Sequence, residues 1–108
     1  MSELSLQQFK EMDLRVAKIL EVEEIAGADR IWKLTVDVGT EKKQIVAGIK
    51  LFYAKEALVG RSILVVNNLV PSVIRGVESC GMLLAAKEGG QLALLSPDKE
   101  LPPGSLVG

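Results

Sequence analysis

Arg30-Ile31-Trp32-Lys33-Leu34-Thr35-Val36-Asp37-Val38 is the stretch whose reading decides the fold. Trp32, Leu34, Val36 and Val38 fall on one side of an extended chain, and Ile31, Lys33, Thr35 and Asp37 fall on the other. That is the period of two of a half-buried β-strand. Upstream, Leu14, Val16, Leu20 and Val22 alternate with Arg15, Ala17, Glu21 and Glu23, while Lys18 and Ile19 break the parity. The spacing predicts one bent strand over 14–24, joined through a turn at Ile25 to Asp29. Downstream, Gly39-Thr40 marks a turn and Glu41 to Ala47 a third strand, which completes a meander.

The period changes after Gly48. Leu51, Ala54, Lys55 and Leu58 fit a short helix ending at Gly60, within 50–58. Ile63 to Asn67 and Met82 to Lys87 read as a fourth and a fifth strand, and Glu88-Gly89-Gly90 turns the chain into a short partner at Gln91 to Leu95. At the start, Ser5 and Gln8 have capping-box spacing ahead of a short helix within 5–12, whose apolar side must pack on the domain or on a second subunit. Pro97, Pro102, Pro103 and Gly104 predict an irregular tail over 96–108. This order gives an all-β expectation for a single domain over 1–108: a five-stranded OB-fold Greek-key barrel over 14–95. Short helices precede it and separate strands three and four. Its ligand face would be strands two and three with the loops at 25–29 and 69–79.

Composition narrows the function classes. A chain of 108 residues with 48% hydrophobic and 25% charged side chains is a globular domain. It contains no apolar run of the roughly 18–20 residues that span a bilayer. The first residues lack a signal-peptide pattern, so a cytoplasmic location without a membrane is expected. One Cys and no His predict neither a disulfide nor a metal site. The chain has no phosphate-cradling Lys-Ser or Lys-Thr loop and no nucleophile elbow, and without His it lacks that general base. Glu23 and Glu24 point to opposite faces of a strand and cannot form a dyad. A non-catalytic domain without cofactors is therefore expected. Net charge is -1, yet residues 1–29 carry -4, residues 30–75 carry +5 and residues 76–108 carry -2. The middle third can focus a positive patch on one face, or lie within a mixed solvated surface.

The connection Asn67 to Met82 is longer than a tight hairpin needs, which marks a functional loop. Within it, Arg75 before Gly76 suits bidentate contact with phosphate, against the plainer reading of an ion pair with Glu78. Lys33 should point outward, whereas Trp32 shares the parity of core residues and is expected to pack inside. Cys80, with no His to activate it, reads as an inert thiol. Phe9, Trp32, Phe52 and Tyr53 are too few for a stacking platform, so a folded RNA backbone is a better target than unstacked bases.

Five runs carry a family resemblance: Asp13-Leu14-Arg15-Val16, Ala28-Asp29-Arg30-Ile31, Val36-Asp37-Val38-Gly39, Gln44-Ile45-Val46-Ala47-Gly48, and Arg75-Gly76-Val77-Glu78-Ser79-Cys80-Gly81-Met82-Leu83-Leu84-Ala85-Ala86. Together they resemble the tRNA-binding domain found at the C-terminus of many methionyl-tRNA synthetases, which also occurs as free-standing tRNA-binding proteins. The resemblance covers roughly residues 9–103. It implies shape-based tRNA binding with little sequence preference, a homodimer, and assistance to the catalytic part of methionyl-tRNA synthetase. The contact surface it implies comprises Ala28, Asp29 and Arg30, Lys33, Lys42 and Lys43, and Asn68, Ser72, Arg75, Ser79 and Met82. Two departures stand out. Ile25-Ala26-Gly27 replaces the His-Pro-Asn often seen in relatives, and Val70 and Val73 stand where lysines are frequent. The alternatives are a dimerisation or scaffold module whose RNA binding is weak or lost, and a free-standing tRNA-binding protein. The apolar Leu101, Leu106 and Val107 of the tail, with the N-terminal helix, are the candidate interface.

Overall fold

The computed structural model describes residues 2–108. Ser5 caps helix α1 (Leu6–Lys10), where its side chain accepts from the Gln8 N–H while the Gln8 side chain accepts from the Ser5 N–H. The expected capping box is present, and the helix ends two residues earlier than the sequence suggested. Strands β1 (Leu14–Ile25), β2 (Ala28–Asp37) and β3 (Lys42–Ala47) form the expected antiparallel meander. The first loop is tighter than predicted, because Ile25 already pairs with Ala28 across a two-residue turn. A register shift between Ile19 and Glu21 supplies the bend where the sequence parity breaks.

Helix α2 (Lys55–Leu58) occupies only the end of the predicted helix. Strand β4 (Ser62–Val66) then pairs with β1. The long connection that follows is itself structured, with β5 (Ser72–Ile74) and β6 (Val77–Ser79) forming a hairpin closed by Arg75 and Gly76. Both turn residues have positive φ, +53° and +76°, the signature of a type I′ turn. The predicted fifth strand divides into β7 (Met82–Leu83), which pairs with β4, and β8 (Ala85–Glu88), which pairs with β9 (Gln91–Leu94) across Gly89-Gly90.

The main sheet runs β3-β2-β1-β4-β7 and is not closed into a barrel by strand pairing. This corrects the closed five-stranded expectation. Between β3 and the chain around β6, the contact is instead one main-chain bond, Cys80 N–H to the Gln44 carbonyl at 2.8 Å, with two side-chain bonds beside it. The tail is also less irregular than its prolines suggested, since β10 (Leu106–Val107) pairs with Leu14 and Arg15 of β1. Its approach depends on two glycines meeting face to face. A Cβ on Gly39 would lie 2.7 Å from the Cα of Gly104, and one on Gly104 would lie 2.8 Å from the Val38 carbonyl oxygen.

The core follows from register. Val22, Leu34 and Ile45 face one another across β1, β2 and β3, with Ile19, Val36, Leu58, Ile63 and Val65 around them. Each large side chain buried in this way is worth roughly 1.5–3 kcal/mol. Trp32 joins the core as its parity predicted, and its Nε1–H donates to the Tyr53 carbonyl at 2.9 Å. Among the described residues no helix is long and apolar enough to cross a membrane, and no group of three or more His, Cys, Asp or Glu is placed to hold a metal.

Candidate nucleic-acid interface

The face of β2 and β3 turned away from the core carries rows fixed by pairing: Lys33 opposite Val46, Thr35 opposite Gln44, and Asp37 opposite Lys42. Lys33 points outward as expected, with its Nζ 3.7 Å from Glu23 Oε1. Partial exposure and solvent screening make that pair a weak restraint. Lys42 lies on the same face, but Lys43 does not, because adjacent strand residues point to opposite sides. Lys43 shares the Val36 row and donates to the Asn67 carbonyl at 2.8 Å.

A second, smaller apolar cluster builds the rim of this face. Ile25, Ala28 and Val46 are buried together, with Ile31 of β2 and Ile74 and Val77 of the β5–β6 hairpin packed against them. The hairpin therefore sits beside the β1–β2 turn. Gly27, Ala28, Asp29, Arg30, Ile31 and Arg75 line one cleft of about 160 Å3. The two loops marked in the sequence thus meet, and Arg30 and Arg75 are both exposed there. Among the described residues neither has a carboxylate within ion-pair distance, so the alternative Arg75–Glu78 pair does not form. Ala28 is 5% exposed and packs in the apolar cluster beside the cleft, Asp29 is an exposed part of its lining, and Ser72 is exposed on β5 opposite Ser79.

The other marked residues have different surroundings. Ser79 is 3% exposed, and its hydroxyl accepts from the Val46 N–H at 3.0 Å and donates to the Gly81 carbonyl at 3.2 Å. That hydroxyl latches the hairpin to the free edge of β3. Asn68 uses its amide on main-chain groups near the end of α1, and Met82 is exposed on β7 beside a groove lined by Ala47, Gly48, Ile49 and Lys87.

Gln44 and Asn67 were not among the expected contact residues, yet both organise the candidate site. Gln44 Nε2 donates to the Glu78 carbonyl at 2.8 Å. Asn67 Nδ2 donates to Asp13 Oδ2 at 3.0 Å, while Arg15 Nε donates to the other oxygen of Asp13 at 2.6 Å. These bonds from Arg15 and Asn67 hold the Asp13 carboxyl below its ordinary value. The adjacent asparagines after β4 were the available signal, since Asn side chains readily bond local backbone. Burial, reinforced by Glu78 at 3.4 Å, pushes the Cys80 thiol upward and away from nucleophilic character.

Comparison with known proteins decides the family. Residues 14–106 match the family model described as "Putative tRNA binding domain". The chain belongs to this tRNA-binding-domain family. Over 94% of its length it is 55% identical to a methionine–tRNA ligase of Methanothrix thermoacetophila. It spans 14–16% of the length of its curated ligase relatives. A MetRS related protein from Pyrococcus horikoshii superimposes on this tRNA-binding-family chain with a TM-score of 0.93 at 33% identity, covering 100% of both chains. The chaperone CsaA of Bacillus anthracis gives a TM-score of 0.90 at 30% identity, covering 99% of this chain and 100% of its own.

Proposed function

We propose that this domain binds tRNA by shape, with little sequence preference, and adds affinity to the catalytic part of a methionyl-tRNA synthetase without catalysing a reaction itself. One observation carries the reading. The small apolar cluster under the β5–β6 hairpin sets Arg75 against the Arg30 turn, at the rim of the face bearing Lys33 and Lys42. Two guanidiniums at the cleft and two ammoniums on the outer face of β2 and β3 suit a phosphate backbone, with the arginines fitted to bidentate contact. Asp29, Ser72 and Gln44 offer polar groups around them. In this reading Ala28, Ser79, Asn68 and Lys43 shape or fasten the surface, and Met82 flanks it with an apolar contact. The strand order supports an OB-type architecture in which β3 meets the chain after β6 through one main-chain bond and the side chains of Gln44 and Ser79. Work in the cytoplasm follows from the tRNA partner.

A homodimer is part of the same proposal. Leu4, Leu6 and Leu106 are 72%, 67% and 77% exposed. Leu6, Phe9 and Met12 of the α1 region share a groove with Leu106 and Val107 of β10. Covering this patch with a second copy would also join two weak RNA sites and raise avidity. That patch equally supports the second reading, a dimerisation module with little RNA binding.

Titration of labelled tRNA at several salt concentrations separates the readings. Four phosphate contacts predict a log-log slope of about -3 to -4, and removing Arg30 and Arg75 together should reduce it to roughly -2. No binding even at low salt would reject the tRNA reading and leave the dimer module. Equilibrium sedimentation tests the dimer, and a monomer at tens of micromolar protein would reject it.

A further inference from the structure

The arm from Asn67 to Cys80 stands on two feet. At its far foot, Cys80 N–H bonds to Gln44, Gln44 bonds to Glu78, and Ser79 latches Val46. At its near foot, Asn67 N–H donates to the Asp13 carbonyl at 2.7 Å. Asn68 Nδ2 donates to the Glu11 carbonyl at 2.7 Å, and its Oδ1 accepts the Asp13 N–H at 2.9 Å. Among the described residues no hydrogen bond ties 69–77 to anything outside its own hairpin. Arg75 at the tip is therefore set by the two feet and by the packing of Ile74 and Val77.

The near foot grips a particular element. Glu11 is the C-cap of α1, a helix with no buried residue of its own. A five-residue helix without packing is marginal, so its order depends on its cap, its attachment and whatever covers its apolar side. Asn68 thus joins an element that is weakly held to the base of the arm carrying Arg75.

We infer that Asn68 is a positioning residue, a joint through which the order of α1 and the setting of Arg75 are coupled. As an aid to tRNA affinity this rests on the reading above. The coupling itself is a property of the free protein. By linkage, anything that orders α1, including a second copy on its apolar side, favours the RNA-competent arm, and bound RNA favours ordered α1 in return.

Amide exchange on the full chain without RNA tests the joint. Asn68→Ala should raise exchange at the Phe9 and Met12 amides of the α1 turn and also across the β5–β6 ladder. A response confined to α1, or none, overturns the coupling. The RNA side is read by a cycle with Arg75→Ala. Asn68→Ala alone is expected to weaken tRNA binding roughly 3- to 10-fold through the loss of two hydrogen bonds, and to add much less once Arg75 is gone. Additive losses, with the salt slope unchanged because a neutral amide releases no counterion, would identify a direct contact with RNA and overturn the positioning role. Asn68→Asp keeps the acceptor for the Asp13 N–H but turns an oxygen toward the Glu11 carbonyl, so in the exchange measurement it should loosen α1 and the β5–β6 ladder at least as much as Asn68→Ala, and protection retained at both would overturn the joint. Should the wild-type chain bind no tRNA, the proposed function fails on its own, and the exchange measurement still decides the joint.

Discussion

Replacing Ser79 by Ala removes one oxygen from a position that is 3% exposed, and leaves its Cβ in place. The loss is therefore one of hydrogen bonding rather than packing. The Val46 N–H, 3.0 Å from Ser79 Oγ, is left without this acceptor at the edge of β3, and the Gly81 carbonyl at 3.2 Å loses a donor. An orphaned buried donor costs about 1–3 kcal/mol, so a total near 2 kcal/mol is expected. Against a typical domain stability of roughly 5–15 kcal/mol, that is a substantial share. With an urea m-value of about 1.5 kcal/mol per molar, the midpoint should fall by roughly 1.3 M with the slope unchanged. The single Trp, Trp32, sits in the core and reports the transition by fluorescence. A stability loss below about 0.5 kcal/mol, a change typical of surface substitutions, together with a tenfold loss of tRNA binding would refute the latch and assign the hydroxyl to RNA.

Three further outcomes follow from particular contacts. Arg75 adopts φ +53°, a conformation that costs a non-glycine residue about 1 kcal/mol, so Arg75→Gly should hold or slightly raise the thermal midpoint while weakening tRNA binding; a fall in both measurements would contradict this. Gly104→Ala would place a Cβ 2.8 Å from the Val38 oxygen and 2.9 Å from the Gly39 Cα at φ +90°, and should cost about 1–3 kcal/mol in denaturant titrations while exposing β10 to exchange. Asp13 is held below its ordinary value of 3.8, so its contribution to stability is complete above that value and disappears as pH falls through the lower folded value. Urea titrations between about pH 5 and 2 should consequently show a shallower acid limb for Asp13→Asn than for wild type.

Much of the architecture was legible because it rests on local chemistry. The period of two in Leu14 to Ala47 specifies strands whichever residues they later meet, and the Ser5–Gln8 box and Gly89-Gly90 turn act within three residues. The tail was misread because pairing of Leu106 with Arg15 spans almost the whole chain and needs the Gly39–Gly104 crossing. The site was partly legible. Lys33 and Lys42 were marked and share one face of β2 and β3, and Arg30 and Arg75 meet at one cleft, whereas Lys43 lies on the opposite side and Ser79 is enclosed.

By itself the sequence determined a strand meander, a helix cap, an Arg-Gly turn and a +5 middle third, since each is set by neighbouring residues or by composition. Only the tertiary structure decided which charges lie near one another. Residue types do not reveal that Ile25, Ala28, Val46, Ile74 and Val77 form one cluster, or that Asn67 and Asn68 reach back to Asp13 and Glu11. Those contacts join segments some 20 to 57 residues apart, and burial and hydrogen-bond satisfaction in three dimensions select them.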